Sequence, residues 1–340
     1  MPKTRTNASR RRFIKTAAAG AASTFFIGRS AAADDVITMK LATVAPADTP
    51  WANQMKDLKG KLFEASGKRL KLKPYLGGGL GDEVATAEAC KRGTVHVWGG
   101  SVAALTNRVP ELEVLELPYL FPTPKKADKI IDEIVGPELD ALLLKAGFVR
   151  WFWSENGLRS IGSTFPIKSI ADLKGRSMRS QESQVHLDMW KAFGTKPTPI
   201  PVTEVVQSLQ TGVVDGYDNT PLFSFAASWH QAISHFTVTE HIYQAGVVVI
   251  SQKFWDTLPA DLQTIMMTDP QGLSKQGRRG VRAIAGALLD NFRNENITVT
   301  ELDDTMKAGF KGAAAVTHAQ FLGRTSEAGK ALYQKITAAL

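Results

Sequence analysis

The chain predicts an α/β protein of two lobes with mostly parallel or mixed sheets. Three observations lead there. Apolar runs of strand character alternate with apolar stripes at helical spacing. About 307 residues remain once an N-terminal export segment is set aside, enough for two lobes with separate cores. No sequence repeat, long linker or low-complexity segment appears after residue 34.

The export segment comes first. Ser9-Arg10-Arg11-Arg12-Phe13-Ile14-Lys15 matches the twin-arginine pattern, Thr16 to Ile27 is weakly apolar, and Ala31-Ala32-Ala33 offers small residues for signal peptidase. Residues 1–33 therefore read as a bacterial twin-arginine (Tat) signal peptide. Its apolar stretch is too short and too rich in Ala, Gly and Ser to span a bilayer permanently. The charge argument changes with it. The whole chain carries 41 Lys plus Arg against 33 Asp plus Glu, a formal +8. Seven of those bases and no acid lie in the signal, which leaves 34 against 33, close to +1. Nucleic-acid binding thereby loses its main support. Cys90 is the single cysteine, so export to an oxidising space brings no intramolecular disulfide.

The mature chain opens with a strand from Val36 to Thr43. Thr49-Pro50 supplies an N-cap and a first-turn proline for a helix carrying Trp51, Met55, Leu58 and Leu62, and Gly67 ends it. Leu70 and Leu72 mark a second strand, a helix runs from about Asp82 to Gly93, and Val95 to Trp98 forms a third strand. Thr123-Pro124 starts a helix that Gly136 closes. Phe148 to Trp153 is a strand, and Ser169-Ile170-Ala171-Asp172 resembles a capping box. Arg176 to Arg179, Lys196 to Ile200 and Val213 to Tyr217 are short strands, separated by helices that end at Gly194 and Gly212. Gly246 to Ser251 is a buried strand, and the last ninety residues are helical except Ile297 to Thr300.

The candidate site rests on Arg159, Arg179 and Asn219, spaced by 20 and 40 residues. An arginine is always charged, and its planar fork meets both oxygens of a carboxylate. An asparagine adds an amide donor without charge. Trp98 and Ser101, beside Gly99 and Gly100, follow a strand and are candidates for the pocket wall; a strand that simply ends in a turn explains them equally well. Asn219 could instead cap the helix beginning at Pro221, although Thr220 is better placed. Trp51 and Trp153 are expected in the core, and Phe223 on a buried helical stripe. Enzyme signatures are weak. Gly77-Gly78-Gly79-Leu80-Gly81 lacks a phosphate-loop lysine, and no Gly-x-Ser-x-Gly elbow occurs. The six histidines do not pair on one helical face, so neither a metal nor a cofactor is expected.

Several segments in one order resemble the solute-binding proteins of tripartite ATP-independent periplasmic (TRAP) transporters. They are Leu80-Gly81, Leu117-Pro118-Tyr119-Leu120-Phe121, Asn156-Gly157-Leu158-Arg159-Ser160-Ile161, Pro166 to Gly175, Ser177-Met178-Arg179, and Pro201 to Gly216. The resemblance implies a two-lobed, periplasmic-binding-protein-like (type II) fold with a hinge and a long helix near the C-terminus backing both lobes. The domains would be 34–156 plus 245–284 and 157–244 plus 285–340. It implies a periplasmic, monomeric receptor that captures a small organic acid for a TRAP membrane permease. Arg179 matches the principal carboxylate contact, Arg159 the assisting arginine and Asn219 the closing amide. This sequence departs from the pattern at Tyr217-Asp218, where Gln-Glu is commoner, and at His96, where an acid is usual. Ser101 falls about where sialic-acid binders carry a glutamate, which argues against that ligand. Pro270 is expected to interrupt the long helix between Leu262 and Arg293. A secreted enzyme acting on an acidic metabolite, and a receptor serving an ABC transporter or a sensor kinase, are the competing readings.

Overall fold

The structure is a computed structural model and describes residues 36–340. The export signal read over residues 1–33 lies outside the described residues. One mixed sheet of nine strands runs through the molecule. The strands are β1 (Ile37–Ala42), β2 (Leu70–Tyr75), β3 (Val97–Ser101), β4 (Phe148–Ser163), β5 (Ser177–Ser180), β6 (Lys196–Pro199), β7 (Gly216–Asn219), β8 (His235–Ser251) and β9 (Thr298–Glu301). Their order is β2-β1-β3-β8-β4-β7-β5-β6, with β9 beside β8. The strands β1, β2 and β3 are mutually parallel, as are β5, β6 and β7.

Two long antiparallel strands join the halves. The second half of β8 pairs with β3, from Ser101 opposite Gly246 to Val97 opposite Ile250. The second half of β4 pairs with β7, from Ser160 opposite Asn219 to Ser163 opposite Gly216. Between these attachments β4 and β8 have only each other, and their register shifts at Glu155/Gly157. Gly157 takes φ +105° there, a left-handed conformation that glycine adopts without a Cβ penalty. The sequence reading stopped β4 at Trp153 and began β8 at Gly246. Both strands are far longer, because each serves one sheet with its first half and the other with its second.

The helix starts follow local chemistry. The Thr49 hydroxyl accepts from the Ala52 N–H at 3.2 Å to cap Pro50–Ala65. Asp82 caps Glu83–Arg92, and Gly93 ends that helix in the left-handed region. The capping box at Ser169 and Asp172 is formed. Gly136 behaves differently from expectation: it opens a new helix, Gly136–Lys145, after a π-helical turn at Ile130–Ile134. Pro270 marks the interruption expected between Leu262 and Arg293, for the helix Ala260–Met266 stops before it. It stands at the first turn of the helix Pro270–Asn294, where its missing N–H has no helical partner to lose. That 25-residue helix is unbroken, and Ala260–Met266 is a separate one before it. Among the described residues no helix is long and apolar enough to cross a membrane.

The long helix packs across β4 and Pro50–Ala65. Arg278 reaches Asp132, and Arg282 bridges Asp128 at 2.8 Å and Glu155 at 2.8 Å. Cys90 is fully buried, and burial pushes its thiol pKa up, so it packs as a small apolar side chain.

Glycine sets the spacing where β4, β7 and β5 meet. A Cβ on Gly216 would stand 2.6 Å from the Gly162 carbonyl oxygen and 2.8 Å from the Met178 methyl. Backbone cannot yield there cheaply. Gly216→Ala is expected to lower the free energy of unfolding by about 1–3 kcal/mol in urea denaturation. An unchanged midpoint would mean the strands can part without cost.

Candidate functional site

A cleft opens where the two halves of the sheet meet. About 420 Å³ of non-atom space lies in and at the mouth of the cleft, open solvent included. Its walls include Thr43, Trp51, Glu83 and Ser101 on one side and Gln181, Val202, Asn219 and Phe223 on the other. The sides touch at the rim. The Val202 N–H donates to Asp82 at 2.8 Å, the Thr106 hydroxyl to Ser183 at 3.1 Å and the Asn107 amide to the Glu182 carbonyl at 3.2 Å.

Behind the cleft lie both predicted arginines. Arg159 sits on β4 and is fully buried. Its Nε donates to the Asp218 carboxylate and one Nη to the Asp218 carbonyl, while the other Nη has no partner. Asp218 is itself fully held. Trp190 Nε1 donates to it at 3.2 Å and His241 Nε2 lies 3.3 Å away. Burial opposes its ionisation, but Arg159 and the His241 hydrogen bond outweigh that and hold the carboxyl well below its usual range. Burial also lowers the His241 pKa, so the ring is neutral. Its Nε2 then carries the proton towards Asp218, and its Nδ1 accepts from the Thr239 hydroxyl at 2.7 Å.

Arg179 has a different environment. It lies on β5, 2% exposed, with Nε donating to the Ile200 carbonyl at 2.9 Å. Its guanidinium carbon stands 5.4 Å from the Trp229 ring centre. One Nη has no partner, and among the described residues no carboxylate forms an ion pair with it. Burial first, and Arg159 second, lower its pKa to about 10. The group stays charged at neutral pH.

Asn219 closes β7 and lines the cleft. Its Oδ1 accepts from the Thr220 N–H at 2.8 Å, and its amide NH₂ makes no bond to the protein. Thr220, not Asn219, caps the helix Pro221–Ala226, as its hydroxyl accepts from the Phe223 N–H at 3.2 Å. Ser101 is in the cleft wall, within β3 itself. Trp98 is not. It turns into the core, donating from Nε1 to the Glu83 carbonyl at 3.1 Å. Strand alternation sends residues three apart to opposite faces, so Trp98 and Ser101 cannot share the pocket.

Sequence reasoning missed Glu83; Trp51 and Phe223 are buried in core clusters as expected, and each also borders the cleft. Trp51 lines the cleft, donating to the Glu155 carbonyl at 2.9 Å. Its indole needs Gly99 and Gly246 beneath it, for a Cβ on Gly246 would stand 2.6 Å from the ring. Phe223 faces the cleft as well. Glu83 accepts from the Ser101 N–H at 2.7 Å and the Ser101 hydroxyl at 2.9 Å. The bare α-carbon of Gly100 makes room, since a Cβ there would lie 2.5 Å from a Glu83 oxygen. Paired glycines after a strand were the signal for such a close neighbour. A chain of polar groups continues from Ser101 through Gln181 and Gln244 to Asn156, at 3.4, 3.4 and 3.1 Å. Among the described residues no three His, Cys, Asp or Glu side chains form a metal-holding group.

The sequence comparisons agree with this geometry. Residues 41–324 match the model of the DctP family, the bacterial extracellular solute-binding proteins of family 7. The chain belongs to that family. It is 33% identical over 276 residues to a solute-binding protein of Verminephrobacter eiseniae, covering 81% of each chain. Its fold matches a TRAP periplasmic solute-binding protein of Bradyrhizobium in complex with D-galacturonate, with a TM-score of 0.83 and 30% identity, over 89% of this chain and 100% of that one. A second, from Citrobacter koseri with bound D-glucuronate, matches with a TM-score of 0.82 and 28% identity, over 87% and 99%. The α/β, two-lobed architecture is that of these receptors. The family binds solutes outside the cytoplasm, and this member is a solute-binding protein of the TRAP type.

Glu83 gives a pH signature. Burial, countered by the Ser101 bonds, raises its pKa from 4.5 to about 7. The folded protein then holds this proton more tightly than the unfolded chain. The associated stability is full below pH 4.5 and is lost as pH rises through about 7. Wild type should lose about 3 kcal/mol across that window relative to Glu83→Gln, measured by denaturation at each pH. Parallel pH profiles for the two proteins would show that Glu83 ionises freely.

Proposed function

We propose that the chain is an exported receptor that captures one organic carboxylate in the periplasm and delivers it to a TRAP membrane permease. The observation that carries this reading is Arg179, a buried guanidinium with no carboxylate partner. A charge in that position costs several kcal/mol unless an anion arrives to meet it. Arg159 already has Asp218, but keeps one Nη free. Asn219 offers its NH₂ from the cleft wall. Together these groups can replace the water around one carboxylate. The uronates bound in the Bradyrhizobium and Citrobacter koseri proteins support the same class of solute.

The twin-arginine pattern in Ser9-Arg10-Arg11-Arg12-Phe13-Ile14-Lys15 supports Tat export. The protein acts as a monomeric receptor and not as an enzyme, without a cofactor. A cleft whose single ionisable lining side chain is Glu83 offers no acid–base pair. The hinge lies at the Glu155/Gly157 register shift, opposite Gln244 and Ala245, which divides 34–156 plus 245–284 from 157–244 plus 285–340. Walls drawn from both halves support closure by ligand.

Arg179→Met tests the role. A thermal-shift screen of organic acids identifies a wild-type ligand, and calorimetry compares the two proteins. The variant should lose about 2–5 kcal/mol of binding while keeping its unfolding temperature, since an unpaired buried charge is replaced by an apolar side chain. Equal affinities would remove Arg179 from the site and the reading with it.

A further inference from the structure

Three features of the cleft bear on what the rest of the solute must look like. The first is charge. Arg159 is paired with Asp218, whereas Arg179 has no ion-pair partner among the described residues and meets Glu83 and Asp82 only through longer-range attraction, which leaves its donors free for one carboxylate. The second is the wall. Of the residues lining the open space, Glu83 is the single ionisable one, and it is an acid. The third is the polar chain from Ser101 to Asn156. Its hydroxyl and amides offer both donors and acceptors and bring no cation.

We propose that Glu83 makes the cleft selective for hydroxylated acids with a single carboxylate and excludes the dicarboxylates of the same length. This rests on the receptor reading above and adds the selectivity. Hydroxyl groups both donate and accept, so they match the amide chain and can donate to Glu83. Trp51 and Phe223 supply ring faces for the C–H surface of such a solute. A second carboxylate finds no cation in the wall. It must shed its water beside a fixed like charge. Glu83 cannot swing clear, because two Ser101 hydrogen bonds hold it against the Gly100 backbone. Repulsive elements of this kind discriminate between ligands that share every attractive contact.

The test is calorimetry at pH 8, above the value of about 7 to which burial raises Glu83. The probes are D-glucuronate, D-galacturonate, D-gluconate and D-galactonate against the six-carbon diacids D-glucarate and galactarate. Wild type should bind its best monoacid at least about a hundredfold tighter than either diacid. Glu83→Gln should narrow that ratio by about tenfold or more, chiefly through tighter diacid binding. Glu83→Ser removes the same charge with less bulk and serves if the glutamine variant does not fold. A wild type that takes mono- and diacids equally overturns the selectivity and leaves the receptor reading standing. So does a ratio unchanged by loss of the Glu83 charge. A wild type that binds none of the six acids overturns the proposed solute class, while the receptor reading is judged by the organic-acid screen and Arg179→Met.

Discussion

A guanidinium kept from water without a counter-ion is the constraint around which this molecule is arranged. Arg179 is held by the Ile200 carbonyl and faces the Trp229 ring, neither of which cancels its charge. The protein limits the cost by confining it to one residue. Arg159, the second cation, is neutralised by Asp218, and Asp218 is fixed in turn by Trp190 and His241. The cluster therefore carries one guanidinium without an ion pair among the described residues, on a stiff frame. In the proposed receptor, donors already in place would lose little freedom on binding an anion, which is the physical content of preorganisation.

The frame comes from the sheet. Arg159 on β4, Asp218 and Asn219 on β7 and Arg179 on β5 are neighbours because those strands pair, Ser160 opposite Asn219 and Arg179 opposite Tyr217. Gly162 and Gly216 let the strands approach closely. The opposite wall is built from β3 and the helix that starts at Glu83. No single half contains all the groups that face the cleft. Ligand affinity and the relative placement of the halves are thus thermodynamically linked.

Much of this was legible in the sequence. Capping residues at Thr49, Asp82 and Ser169 fixed helix starts because their chemistry is local. Arg159, Arg179 and Asn219 were singled out by their motif context, and the structure places all three buried on the paired strands β4, β5 and β7. The errors share a cause. β4 and β8 were cut short because half of each strand contains polar residues that break the apolar pattern: Asn156 and Gln244 face the cleft, and Glu155 pairs with Arg282. Trp51 lies in the core as read, and its second role in the cleft wall was invisible because helical periodicity cannot separate a core face from a pocket face. Glu83 was not singled out, since nothing local shows that Gly100 lies against it across 17 residues of chain. Trp98 was misplaced by overlooking strand alternation. The break at Pro270 was legible, because a proline after Asp269 stops one helix and opens the next.

The shared strands have a further consequence for melting. β4 and β8 each belong to both halves, and neither half can lose them and keep its own sheet. One half unravelling would strip an edge from the other. The molecule is therefore wired to come apart as a single cooperative unit rather than lobe by lobe. A solute lodged in the cleft then protects distant regions, the outer strands β2 and β6 included, as strongly as it protects the walls it touches.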